Sequence, residues 1–78
     1  WLLAYGADFQ GAKFKEANLV SAQMVGADLT DADFRGAHLT QTNFNQADVK
    51  GADFKDAQID EIEFHAARNV PGEFQKDP

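Results

Sequence analysis

The sequence predicts an all-β coil of short sides and regular corners. Three observations carry that reading: a large apolar residue at every fifth position, an Ala two places before it, and glycines confined to one phase of the same period. The stretch GADFQGAKFKEANLVSAQMVGADLT, residues 6–30, shows all three.

The large apolar residue is taken as the centre of each unit. The centres are Phe9, Phe14, Leu19, Met24, Leu29, Phe34, Leu39, Phe44, Val49, Phe54, Ile59 and Phe64, twelve consecutive units. Two places earlier stands an Ala, from Ala7 to Ala57, with Thr42 and Ile62 as the departures. The residue between is always polar, from Asp8 and Lys13 to Gln58 and Glu63.

A helix cannot use this pattern, because five residues advance about 500° and leave successive centres roughly 140° apart. A long straight strand fails too, since an odd period sends successive centres to opposite faces. Ala, polar residue and centre read in-out-in, as a short extended segment requires. The two remaining residues must then turn a corner. Five of the six glycines, Gly6, Gly11, Gly26, Gly36 and Gly51, stand second after a centre position, where Glu16, Ser21, Asp31, Gln41, Gln46, Asp56 and Glu61 stand in the other units. Glycine at one fixed phase marks a turn residue at positive φ, as in a type II turn.

Repeats written ADFQG, ANLVS, ADLTD, ADFRG and ADFKD, from Gly6 to about Ala66, resemble the pentapeptide-repeat family. The resemblance implies a right-handed quadrilateral β-helix with four pentapeptides per coil, about three coils of 20 residues here. Thr42 and Ile62 depart from the family's small residue and are expected to distort their sides locally. A 20-residue coil creates columns, with Phe14, Phe34 and Phe54 stacked inside beside Phe9/Leu29/Val49, Leu19/Leu39/Ile59 and Met24/Phe44/Phe64. A tube filled in this way has no internal pocket. At about 4.8 Å per coil it is a stub, not a rod.

The organisation expected is an N-terminal partial coil or cap over 1–5, the β-helix over 6–66, and a C-terminal cap and tail over 67–78. A solenoid needs its ends covered. Ala66 to Asn69 read as a short helical turn stopped before Pro71, with Phe74 or Val70 covering the last core layer. Trp1, Leu2, Leu3 and Tyr5 read as part of a severed coil, which makes end-to-end self-association an expectation. The start at Trp1 suggests a domain excised from a larger protein, and that parent is a candidate for membrane attachment.

Composition narrows the partners. Thirteen Asp and Glu against seven Lys and Arg give a net charge of −6, a poor match for the phosphates of nucleic acid. No direct nucleic-acid binding is expected; a basic protein surface suits the charge better. Without Cys there are no disulfides and no thiolate metal ligands. No apolar run approaches the roughly 20 residues of a membrane span, so no membrane contact is expected from this segment itself. The expected location is cytoplasmic, or a soluble domain of a membrane protein.

Candidate sites lie on the outward columns. Asp8, Asp28 and Asp48 form an acidic ladder that Asp33 and Asp53 extend on the next side. Lys15, Arg35 and Lys55 form a basic column beside Glu16 and Asp56. Together these eight residues are the candidate interaction surface, against the plainer reading of solvated outward positions whose exposed ion pairs are worth little. His38, between Asn18 and Gln58, and His65, beside Asn45 and Val25, read as solvated rather than ligating. Ser21 has no Ser-His-Asp company, the carboxylates are exposed with nothing to tune them, and the periodic glycines do not make a phosphate loop. No enzyme, metal or cofactor is expected.

The function read from this is a noncatalytic protein-interaction or scaffold domain with a protein partner. The resemblance adds that the family is numerous in cyanobacteria, with members in heterocyst differentiation and glycolipid-layer assembly. A second reading is the DNA mimicry of the family's topoisomerase-protecting members. Duplex DNA carries one charge per about 1.7 Å, far denser than the dispersed charge here. A third reading is a purely structural spacer.

Overall fold

The computed structural model describes residues 2–74. Ten parallel bridges run from Leu3↔Gln23 to Asp48↔Arg68, each isolated and each joining residues twenty apart. From Asp8 onward, the bridged residue is the polar one between Ala and centre. Corners interrupt pairing at every fifth residue, so a side contributes one bridged residue and no longer strand forms among the described residues. The β character resides in the ladder between coils. The molecule is a β-helix solenoid, 31 × 24 × 21 Å in extent.

The corners work as the glycines suggest. Every second corner residue from Gly6 to Ala66 has positive φ, between 57° and 72°. Eight of these are not glycine, Glu16, Gln41 and Ala66 among them. The residue that follows each corner, Ala except at Thr42 and Ile62, closes it with an N–H to the carbonyl three residues back, as from Ala12 to Phe9 at 3.0 Å.

Each backbone group has a fixed task. Asp33 donates its N–H to Ala12 of the preceding coil (2.9 Å), while Phe14 donates to Asp33 (2.7 Å) and Glu16 to Arg35 of the following one (2.9 Å). The same bonds recur at equivalent positions through the interior of the ladder. One donor per side is left over, the N–H of the first corner residue, for which water and a side-chain acceptor compete. Where the outward residue is Asp or Asn, its side chain takes that N–H. Asp8, Asn18, Asp28, Asp33, Asn43, Asp48 and Asp53 each accept, through Oδ1, the N–H two residues on, at 2.9 to 3.2 Å. These side chains act as caps on the corners, which the reading of outward residues as simply solvated did not anticipate.

The centres fill the interior. Met24, Leu29, Phe34, Leu39 and Phe44 are fully buried, with Ala22, Ala27, Ala37 and Ala47 between them. Phe34 stacks between Phe14 and Phe54, with centroids 5.2 and 5.1 Å away, and meets Phe44 edge-on at 5.5 Å. Phe44 stacks on Phe64 at 5.5 Å.

Neither Thr42 nor Ile62 distorts its side, contrary to expectation. Phe44 donates to Glu63 at 2.9 Å and Glu63 to Thr42 at 3.1 Å. The buried Thr42 hydroxyl donates to the Leu19 carbonyl at 2.8 Å, which removes the penalty of burying it. Ile62 lies in the last layer, where its side chain is only half-buried.

At the N-terminal end, Leu2 and Ala4 join the ladder through Gln23, both bonds 2.7 Å. Ala4 is buried, while Leu3 and Tyr5 face outward at 61% and 64% exposure. Trp1 lies outside the described residues. At the other end the expected helical turn over Ala66 to Asn69 is absent. Ala66 is instead a corner at φ 57°, and Ala67 closes it onto Phe64 at 3.1 Å. Arg68 then donates to Ala47 at 2.8 Å, so a further side runs through Ala67, Arg68 and Asn69. The helix comes after Pro71, as one 3-10 turn over Gly72–Phe74. Val70 and Phe74 both pack against the core, the Phe74 ring 5.3 Å from Phe54 and 5.7 Å from Phe64. The tail at 75–78 lies outside the described residues.

Candidate interaction surface

With the axis filled, recognition falls to the outer walls, where the ladder sets the side chains in register. Asp8, Asp28 and Asp48 are bridged in succession, as expected, and Arg68 is bridged to Asp48 as the next member. The acidic column therefore ends in a cation. The sequence signal for it was the Ala67–Arg68 pair in phase, hidden by Asn69 in the slot where a large apolar residue is expected. On the next side, Asp33 and Asp53 continue a column that begins with Lys13.

These carboxylates are tied down. Asp28 accepts the Thr30 hydroxyl at 2.8 Å and, through Oδ2, the Gln10 amide at 2.8 Å. The Thr30 hydroxyl and N–H hold its carboxyl below the usual carboxylate range against desolvation and, less strongly, the repulsion of Asp48. Asp48 accepts the Asn69 amide at 2.8 Å. That bond first, then the Lys50 N–H, lowers its carboxyl as well, and the charges of Arg68 and Lys50 add to the effect.

Asp33 and Arg35 make the ion pair of this face. Arg35 Nε donates to Oδ1 at 2.9 Å and Nη2 to Oδ2 at 2.7 Å, while the Arg35 N–H reaches the same Oδ1 at 3.0 Å. Three bonds from one residue pull the Asp33 carboxyl down to about 2. A two-pronged guanidinium–carboxylate contact is also geometrically specific. Among the described residues Lys15 and Lys55 form no ion pair, although the charge of Lys15 also favours the ionised Asp33 carboxyl. Lys15, Arg35 and Lys55 line one lip of a shallow corner groove, with Glu16 and Asp56 on the other and Gly36 between.

The remaining polar residues are engaged with one another. Ser21 donates to Gln41 Oε1 at 3.3 Å, and His38 Nδ1 meets Gln58 Oε1 at 3.0 Å, so among the described residues neither joins a nucleophile–base pair. Asn45 Oδ1 takes the backbone N–H of His65 at 2.7 Å. Among the described residues no group of three or more His, Asp or Glu is placed to hold a metal ion, and no helix is long and apolar enough to cross a membrane.

Comparison with known proteins agrees with this architecture. No curated protein sequence matches the chain. HetL, a pentapeptide repeat protein involved in heterocyst differentiation regulation from the cyanobacterium Nostoc sp. Strain PCC 7120, has a solved structure that matches with a TM-score of 0.80 and 29% identity. The match covers 83% of this chain and 31% of HetL, so the chain spans less than a third of that protein. The family model described as a pentapeptide repeat region matches residues 5–68. The chain belongs to the pentapeptide repeat family.

Proposed function

We propose that the chain is a noncatalytic protein-interaction domain that meets its partner through the outward columns of Asp8, Asp28, Asp48, Asp33 and Asp53 and of Lys15, Arg35 and Lys55. We further infer that the solenoid is right-handed and quadrilateral, about three coils with a short C-terminal cap, a geometry in keeping with ladder partners twenty residues apart. The observation that carries the functional reading is the filled axis. With Phe34, Phe44, Met24, Leu29 and Leu39 all at 0% exposure, side chains occupy the axis among the described residues, and recognition is left to the outer walls. Pentapeptide repeat proteins are generally structural or interaction proteins, and the likeness to HetL supports a regulatory contact of the heterocyst-differentiation kind. Arg68 in the acidic column and the Arg35–Asp33 pair break up the negative charge, which weighs against mimicry of DNA.

The test is capture of a partner from extracts of the source cells. The immobilised domain should retain a protein that a variant carrying Asp8→Lys, Lys15→Glu and Lys55→Glu loses, all three sites being exposed. Equal retention by both forms overturns the reading.

A further inference from the structure

The C-terminal end of the ladder carries a hollow lined by Ile59, Glu61, Ile62, Phe64, Glu73 and Phe74. Its four apolar residues are half-buried against the core, and the two glutamates are exposed.

Part of the backbone around the hollow lacks a partner among the described residues. One coil earlier, Phe44 donates its N–H to Glu63, Gln41 donates to Asp60, and the Thr42 carbonyl accepts from Glu63. Phe64, Glu61 and Ile62 occupy the equivalent positions in the last coil. Among the described residues the N–H groups of Phe64 and Glu61 have no acceptor, and the Ile62 carbonyl has no donor. An apolar edge with free N–H and C=O groups is a template for another extended segment.

Charge sets the chemistry of that segment. Asp56, Asp60, Glu61, Glu63 and Glu73 all lie in or beside the last coil, and none is in an ion pair among the described residues.

We propose that this end docks an extended segment of a protein partner in which apolar and basic residues alternate. One basic residue of the segment faces outward beside Glu63. Its carbonyl accepts the Phe64 N–H and its own N–H donates to the Ile62 carbonyl, repeating the bonds that Glu63 makes one coil earlier. The apolar neighbours on either side point into the hollow, and the flanking basic residues meet Glu61 and Glu73. The inference rests on the reading of the chain as an interaction domain, and it names one surface and the partner chemistry for it.

The test measures binding of a fluorescein-labelled alternating lysine–leucine peptide to the full chain by anisotropy, with thermal melting as a check on folding. Saturable binding is expected below about 1 mM. The exposed pair Glu61→Lys and Glu73→Lys should weaken it about tenfold or more with melting unchanged. A peptide of the same composition with its leucines adjacent, and one with proline at the central position, should bind far more weakly. Absence of saturation, or equal binding of these control peptides, overturns the proposal. So does a dimer in sedimentation that the same charge reversals disrupt, since a second copy is then the occupant. Deletion of 75–78 that strengthens peptide binding about tenfold also overturns it, because the chain's own tail then fills the hollow. If the peptide fails while partner capture still depends on Asp8, Lys15 and Lys55, this inference falls and the functional proposal stands.

Discussion

Phe14 and Phe34 lie face to face, their ring centroids 5.2 Å apart and their planes 8° from parallel, although twenty residues separate them in the chain. Phe34 repeats the contact with Phe54 at 5.1 Å and 4°. A fully buried ring with neighbours above, below and at its edge has no slack around it. Phe34→Ala should therefore cost about 3–5 kcal/mol, against a total of about 4–12 kcal/mol for a domain of this length. Phe34→Leu should cost about 1.5 kcal/mol or less, because Leu29 and Leu39 occupy the same kind of slot. Denaturant midpoints of the two variants check this, and equal losses would mean that stacking, rather than the filled volume, sets the stability of the column.

Asn18 tests the capping of corners. Its Oδ1 accepts the Val20 N–H at 3.2 Å and makes no other hydrogen bond among the described residues. Asn18→Ala removes that acceptor and should cost about 0.5–1.5 kcal/mol, whereas Asn18→Asp keeps it and should be nearly neutral. Equal melting of the Ala variant and the parent would show that water satisfies the corner equally well.

The three tethered carboxylates predict acid sensitivity. Asp33, Asp28 and Asp48 all have lowered folded-state pKa values, Asp33 moving from 3.8 to about 2. The unfolded chain thus takes up these protons first, so the stabilisation is complete above about pH 4 and is lost as pH falls toward 2. Arg35→Gln removes the main cause at Asp33. Its denaturant midpoint should fall less steeply than the parent's between pH 4 and 2, and parallel profiles would remove the ion pair from the explanation.

Much of this was legible because a solenoid writes its core as a period. Centres such as Phe14 and Phe34 are apolar wherever the axis needs filling, and glycines such as Gly26 and Gly51 mark the corner phase. The stacking of coils came with the family resemblance, since no single pentapeptide shows what lies twenty residues away. Two things were hidden. Arg68 was missed because its side carries Asn69 in the centre slot, in a last layer that no further coil covers. The caps at Asp28 or Asn43 were missed because an outward polar residue looks the same whether it faces water or holds a backbone N–H. Positive φ at Glu16 or Gln41 was legible only through the phase that the glycines mark, since neither residue type signals a left-handed corner by itself.

Ala66 shows the cost of that conformation most cleanly. It is an exposed corner at φ 57° in the final layer, closed by the Ala67 N–H on Phe64, and among the described residues its own N–H makes no ladder bond. A residue with a Cβ costs roughly 1–2 kcal/mol in the left-handed region, while glycine escapes that strain but loses more freedom on folding. The two effects oppose, and at a fixed positive φ the steric one is the larger. Ala66→Gly should therefore stabilise the domain by about 0.5–1 kcal/mol, read as a rise in denaturant midpoint with an unchanged slope. The same change at an extended position such as Ala57 should destabilise, since there the flexibility of glycine acts alone. A loss at both positions would show that the last corner is not held in the left-handed conformation in solution.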